Sequence, residues 1–184
     1  MSVADEIFSI FNSRGSSAYF GEPVSVAEHC LQAAHWARLE KSPDSLIVAA
    51  LLHDIGHLIM DCPDDIANWD TDAFHEKVGG EWLASRFGPE VSEPVRLHVP
   101  AKRYLCATRP AYLAKLSPAS VLTLKLQGGV MSAAEVTAFE AEPFFKDAVR
   151  IREWDDRGKV AGSNTPDLTS YRTMIEHCQR RGGS

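Results

Sequence analysis

The chain has 184 residues, 45% of them hydrophobic and 24% charged, with a formal net charge of −6. This is enough for one compact unit, so residues 1–184 are expected to form a single domain. The negative balance argues against a general nucleic-acid or anionic-membrane surface, and no apolar run approaches the ~20 residues that a membrane helix needs. The longest, Leu46 to Leu52, is cut by His53-Asp54. Asp5 and Glu6 near the start, with no basic segment, do not read as a signal peptide. Cys30, Cys62, Cys106 and Cys178 form no CxxC pair, so reduced thiols in a cytoplasmic protein are expected.

Nearly every segment reads as helix. Val3, Ile7, Ile10 and Phe11 form an apolar stripe that should end near Arg14-Gly15, followed by a turn-rich stretch to Val24. Ser25 and Glu28 fit a capping box, and a helix should run from there to about Glu40. Ser42-Pro43 has the form of a cap followed by a first-turn proline, opening a helix with Leu46, Ala49 and Ala50 inward and an end near His53 to His57. Residues Asp61 to Asp70 are acidic and irregular, and Asp72 can cap a helix reaching Phe87, stopped by Gly88-Pro89. A shorter helix should lead to His98 and stop at Pro100. Ser117-Pro118 opens a helix ending at Gly128-Gly129, and Ser132 with Glu135 repeats the capping box. Pro143 opens a helix through Asp155, broken by Gly158, and Thr165-Pro166 precedes a last helix to about Arg180. No segment alternates with period two over β-branched residues, so the fold class is all-α.

The strongest local signal is His53-Asp54-Ile55-Gly56-His57 after an apolar run. A carboxylate beside buried chain is costly unless something compensates it. A metal ion would, and adjacent His and Asp are both usable ligands. The same pair would also suit a helix end that reaches solvent. His29, His75, His98 and Asp155 each fall on a different predicted helix, as inward-facing ligands of a bundle do. Spacing alone does not bring them together. His35 and His177 have no such context and read as structural or surface residues, and Glu28 reads as a helix cap.

The order His29, His53-Asp54, Asp155 resembles the metal signature of the HD superfamily, and His75 and His98 resemble the extra ligands of its dinuclear members. The segments Tyr19-Phe20-Gly21-Glu22, Phe74-His75-Glu76, His98 to Cys106, Leu116 to Ser120 and Gln127-Gly128-Gly129 are similar to one branch, the mixed-valent diiron oxygenases that cleave carbon–phosphorus bonds. Arg152, three residues before Asp155, fits the same pattern. The likeness runs from about residue 18 to 160.

This resemblance implies an HD-domain helical bundle with two iron ions, Fe(II)/Fe(III), and O2 as co-substrate. It implies His29, His53 and Asp155 at one iron, His75 and His98 at the other, and Asp54 bridging them. It assigns His57, Lys102, Ser120 and Arg152 to the phosphonate, and Tyr19 and Glu22 to a lid. The implied reaction converts 1-hydroxy-2-(trimethylammonio)ethylphosphonate to glycine betaine and phosphate, or unmethylated 2-amino-1-hydroxyethylphosphonate to glycine and phosphate. Val26 stands where the branch's enzyme for the unmethylated substrate is polar, and Trp69 lies among acidic residues between Ile66 and Asp72. Both features lean towards a quaternary ammonium. The alternative is an HD-type phosphohydrolase acting on a nucleotide or phosphate ester with a metal-bound hydroxide.

Overall fold

The computed structural model describes residues 1–60 and 74–180. The expected cap at Asp72, the Trp69 stretch and Cys62 lie outside the described residues. Among those described, the secondary structure is helical, with only isolated bridges at Ala18–Ser25 and Phe87–Gln179.

Helix α1 (Val3–Arg14) starts at a Ser2–Asp5 capping box, and α2 (Val26–Leu39) at the Ser25–Glu28 box. Each box satisfies backbone N–H groups that a first helical turn leaves unpaired. Helix α3 (Asp44–Leu51) is buried from Leu46 to Leu51. Ser42 is not its cap. Pro43 holds that position, and the Ser42 hydroxyl instead accepts a hydrogen bond from Arg150 at 2.8 Å. The chain breaks at Leu52–Asp54 and resumes as the short α4 (Ile55–Ile59).

Helix α5 (His75–Ala84) is followed by α6 (Pro89–Thr108), which corrects the expected stop at Pro100. Both Pro94 and Pro100 lie inside α6. Each removes one backbone hydrogen bond. The helix continues because Ala101, Leu105 and Cys106 are buried beyond the second proline, and tertiary packing outweighs local propensity.

The short α7 (Pro110–Leu113) leads to α8 (Pro118–Leu126), capped by Ser117, and α9 (Ala133–Glu140), capped by the Ser132–Glu135 box. Helix α10 (Phe145–Arg157) starts two residues after Pro143. The final helix begins later than Thr165-Pro166 suggests: Asp167 caps a 3-10 turn (Leu168–Tyr171) that passes into α11 (Arg172–Cys178).

Two apolar clusters hold the bundle together. The larger joins α1, α2, α3 and α4 to Phe87, Ile151, Trp154, Tyr171 and Ile175, and the smaller packs Leu97, Ala101 and Leu105 on Met131, Phe139, Ala148 and Val149. The larger aliphatic and aromatic side chains among them each contribute roughly 1.5–3 kcal/mol when fully buried. Helices α6 and α10 run beside each other through both clusters. Val26 is buried in the larger cluster and is not among the residues lining the cleft described below, so among the described residues it forms no part of that wall. Cys30, Cys106 and Cys178 are free thiols.

Candidate metal centre

His53 and Asp54 come from the break between α3 and α4, not from a helix end. Asp54 has φ −103° and ψ 16°, the bridge region that keeps consecutive side chains out of helical register. Both therefore face one point. His29 reaches it from the first turns of α2, His75 from the start of α5, His98 from the middle of α6 and Asp155 from α10. All six are at least 95% buried. Close backbone contact between α4 and α5 makes this possible, since a Cβ on Gly56 would lie 2.0 Å from the His75 carbonyl oxygen.

Asp54 divides its two oxygens. Oδ2 lies 3.3 Å from His53 Nε2 and 3.5 Å from His29 Nε2. Oδ1 lies 3.4 Å from His75 Nε2 and 3.6 Å from His98 Nε2. Asp155 Oδ1 joins the first group, 3.5 Å from His29 Nε2. The result is two donor clusters that share one carboxylate.

The hydrogen bonding of the rings says what these clusters need. His29, His53 and His98 each direct Nδ1 at a backbone carbonyl, of Gly158, Ala50 and Val95 respectively, at 2.7–3.0 Å. A proton on Nδ1 leaves a lone pair on Nε2. Yet His29 Nε2 and His53 Nε2 are 3.0 Å apart, and His75 Nε2 and His98 Nε2 are 3.3 Å apart. Ring nitrogens this close share a cation, either a proton or a metal ion. Asp54 Oδ2 and Asp155 Oδ1 are buried and accept no hydrogen bond among the described residues. Buried acceptors of this kind are costly unless an ion meets them. The donor set thus fits metal ions, and mixed imidazole and carboxylate suits several divalent first-row metals.

Electrostatics agree. Burial pulls His53 down, but the Asp54 carboxylate outweighs it and holds the imidazole up at about 9. Burial takes His29 and His57 down to about 4 and His75 well below its usual range. Asp54, despite burial, is held well below the carboxylate range by His53, and Asp155 by Arg152 and Lys159. The pocket keeps its carboxylates ionised and asks for positive charge.

A cleft open to solvent on one side adjoins the second cluster. Lys102 is 98% buried in its wall, and burial brings its ammonium down to about 7. Its Nζ donates to Thr123 Oγ1 at 2.8 Å. His57 stacks on His75 at 3.8 Å, and Ser120 lines the cleft from α8.

Arg152 also lines the cleft, but its N–H groups are engaged by Asp155 at 2.7 Å, by Asp156, and by the Tyr112 hydroxyl at 3.0 Å. It braces a candidate ligand before it can greet a substrate. Tyr19 and Glu22 lie in the loop before α2 and line the cleft. Glu28 is a cap, and His177 is exposed.

Sequence reasoning missed Thr123, Phe20 and Lys159, and gave Gln127 no role. Ser120, Thr123 and Gln127 share a helical face by spacing, a signal that was there to read.

Comparison with known proteins follows the same lines. Residues 23–123 match the HD domain family. The chain is 46% identical over 173 residues to hydroxymethylphosphonate dioxygenase of Gimesia maris, covering 94% of this chain and 86% of that protein. It is 44% identical over 174 residues to the glycine-betaine-forming [1-hydroxy-2-(trimethylamino)ethyl]phosphonate dioxygenase of Leisingera caerulea, covering 95% and 89%. An uncharacterized protein of Acanthamoeba polyphaga mimivirus is 36% identical, covering 93% and 80%.

Proposed function

Because the chain belongs to the HD-domain family, we propose that it is a dioxygenase that uses O2 to cleave the C–P bond of a small 1-hydroxyphosphonate and release phosphate. The observation that carries this reading is the split of Asp54 between two histidine clusters beside a cleft walled by Lys102. A mononuclear hydrolase would need only one of those clusters. The identity to two phosphonate dioxygenases over most of the chain supports the same reaction.

The proposed cofactor is a pair of iron ions in the Fe(II)/Fe(III) state. His29, His53 and Asp155 would hold one, His75 and His98 the other, with Asp54 between them. When bound, the irons supply the reduction of O2 and the one-electron chemistry that C–H cleavage at C1 needs.

The chain's own residues do the rest. His75 and His98 would hold the iron that faces the cleft, which would orient the C1 hydroxyl and the phosphonate there. The Lys102 ammonium meets the phosphonate as a buried point charge, where a charge-assisted hydrogen bond is stronger than in water. His57, neutral because burial keeps it near 4, donates N–H without adding charge. Ser120 and Thr123 add hydroxyls. Arg152 holds Asp155 in orientation and contributes positive field to the same wall. Tyr19 and Phe20 keep bulk water off the open side.

The candidate substrates are 1-hydroxy-2-(trimethylammonio)ethylphosphonate, giving glycine betaine, its unmethylated analogue, giving glycine, and hydroxymethylphosphonate. The test is anaerobic iron loading followed by parallel O2 uptake and phosphate release with all three. Phosphate release that depends on O2, and is lost in His75→Ala and His98→Ala, is the expected outcome. Phosphate release without O2 would replace this reading with a phosphohydrolase.

A further inference from the structure

The four candidate ligand rings of the centre are not held alike. His29, His53 and His98 point Nδ1 at backbone carbonyls, at 3.0, 2.8 and 2.7 Å. A carbonyl is neutral and only accepts, so it fixes the proton on Nδ1 and the lone pair on Nε2. His75 departs from this pattern. Its Nδ1 is buried and has no hydrogen bond among the described residues. The group that faces it is a carboxylate, with Glu76 Oε2 at 3.8 Å.

Packing puts Glu76 in that place. It is the second residue of α5, where the exposed N–H groups of a helix start favour an acid. An acid serving only that helix end would stay in water, because burying an ionised carboxylate is costly. Glu76 is only 4% exposed. The chain enters α5 through Phe74 in the left-handed region, φ 49° and ψ 37°, with no side-chain cap. A phenylalanine in that conformation costs energy and persists only where its surroundings hold it. Helix α4 supplies the hold. Gly56 lies against the His75 carbonyl, and a Cβ on Gly79 would come 3.2 Å from the Gly56 nitrogen.

The stack of His57 on His75 fixes the plane of the ring. It is indifferent to which nitrogen carries the proton. Two carboxylates compete for the one proton of a neutral His75: Asp54 Oδ1, 3.4 Å from Nε2, and Glu76 Oε2, on the Nδ1 side. Only the second placement leaves Nε2 to a metal.

We infer that Glu76 is a positioning residue of the second metal site: its carboxylate holds the proton on His75 Nδ1, reserves Nε2 for the metal and makes His75 a stronger donor than the other three rings. A negative charge behind a ligating imidazole raises the basicity of the ring more than a neutral carbonyl does, and metal affinity follows. In a buried place the charge acts over 3.8 Å without a hydrogen bond. The two clusters thereby obtain their negative charge differently. Asp155 joins the His29 group as a donor in its own right, whereas the His75–His98 group has only the shared Asp54 and draws on Glu76 through the ring. A charge so placed favours the more oxidised ion and lowers the potential at which the pair accepts an electron.

This inference rests on the two-iron reading above. Its test is anaerobic titration of the metal-free protein with iron(II) in competition with a chelator. A redox titration of the loaded pair, followed by electron paramagnetic resonance, gives the potential. Glu76→Gln keeps the shape and an acceptor oxygen and removes the charge, so His75 becomes like the other three rings. The second iron should then bind about tenfold more weakly. The preference for the oxidised pair should fall about tenfold as well, an upward shift of about 59 mV in a one-electron couple. Glu76→Ala removes charge and acceptor together and should weaken the second iron about 100-fold. Glu76→Asp, which restores the charge, should bring the potential back towards the native value.

A carboxylate that only braced α5 would change the thermal midpoint of the metal-free protein and leave the potential where it was. Native affinity and native potential in Glu76→Gln overturn the inference and leave the two-iron reading standing. Uptake of a single iron by the native chain overturns both, so the two kinds of failure are distinguished.

Discussion

The phenol ring of Tyr19 lies on the imidazole of His29, with centroids 3.9 Å apart and planes 17° from parallel. Burial, reinforced by the charges of Asp54 and Asp155, keeps that phenol protonated. Tyr19→Phe keeps the stack and removes only the hydroxyl. Its stability should change by less than about 1 kcal/mol. O2 uptake by the iron-loaded variant without substrate should rise above that of the native chain, read with an oxygen electrode.

Gly56 is where α4 meets α5, and a methyl group there would collide with the His75 backbone. The colliding atoms belong to main chain and cannot rotate away. Gly56→Ala should therefore displace His75, leave one metal per chain by elemental analysis, and destabilise the fold by about 1–3 kcal/mol.

Arg152 meets Asp155 and Asp156 at once. Lysine would keep the charge and lose the planar fork. Arg152→Lys should lower metal affinity at the His29 side about 10–100-fold while the fold remains intact. Competition with a chelator measures the first, and the thermal midpoint the second.

The metal-free protein should lose stability as pH falls from 6.5 to 4. His29 and His57 have folded values near 4, below the ordinary 6.5. In that window the unfolded chain binds protons that the folded chain refuses, so unfolding is favoured. Each group contributes about 3 kcal/mol across it. Scanning calorimetry at intervals through this range should show the midpoint falling. A flat midpoint would contradict the burial of both rings.

Lys102 gives a second pH signature. Its ammonium sits near 7 in the free protein, so much of it is neutral just above that pH. A bound phosphonate favours the charged form, and binding should take up a proton above pH 7. Calorimetry in buffers of different ionisation enthalpy would report this uptake, and Lys102→Met should abolish it. The same depressed value makes burial of Lys102 costly below pH 7, a cost that fades as pH rises from 7 towards its ordinary 10.5.

What could be read from the sequence was what is local. The Ser25–Glu28 and Ser132–Glu135 boxes bond their own neighbours, and both form where their spacing puts them. Pro100 misled, because its cost is local while the gain from burying Ala101 and Leu105 comes from distant α9 and α10. The six centre residues were legible through likeness to a family. Their convergence, and the division of Asp54 between two sides, is tertiary and appears only when α2, α5, α6 and α10 are in place. Lys159 was illegible for the same reason: its place in the cleft depends on Gln32 and His29, more than a hundred residues away, holding the backbone on either side of it.

His98 and Lys102 stand one turn apart on the same helix, α6. Four residues of helix advance about 6 Å, and a packed helix does not stretch. If the proposed function holds, the metal position at His98 and the ammonium of Lys102 are therefore held in step by one rigid element. A 2-hydroxyphosphonate, longer by one carbon, should then misplace its reacting bond against that fixed spacing and act as an inhibitor rather than a source of phosphate.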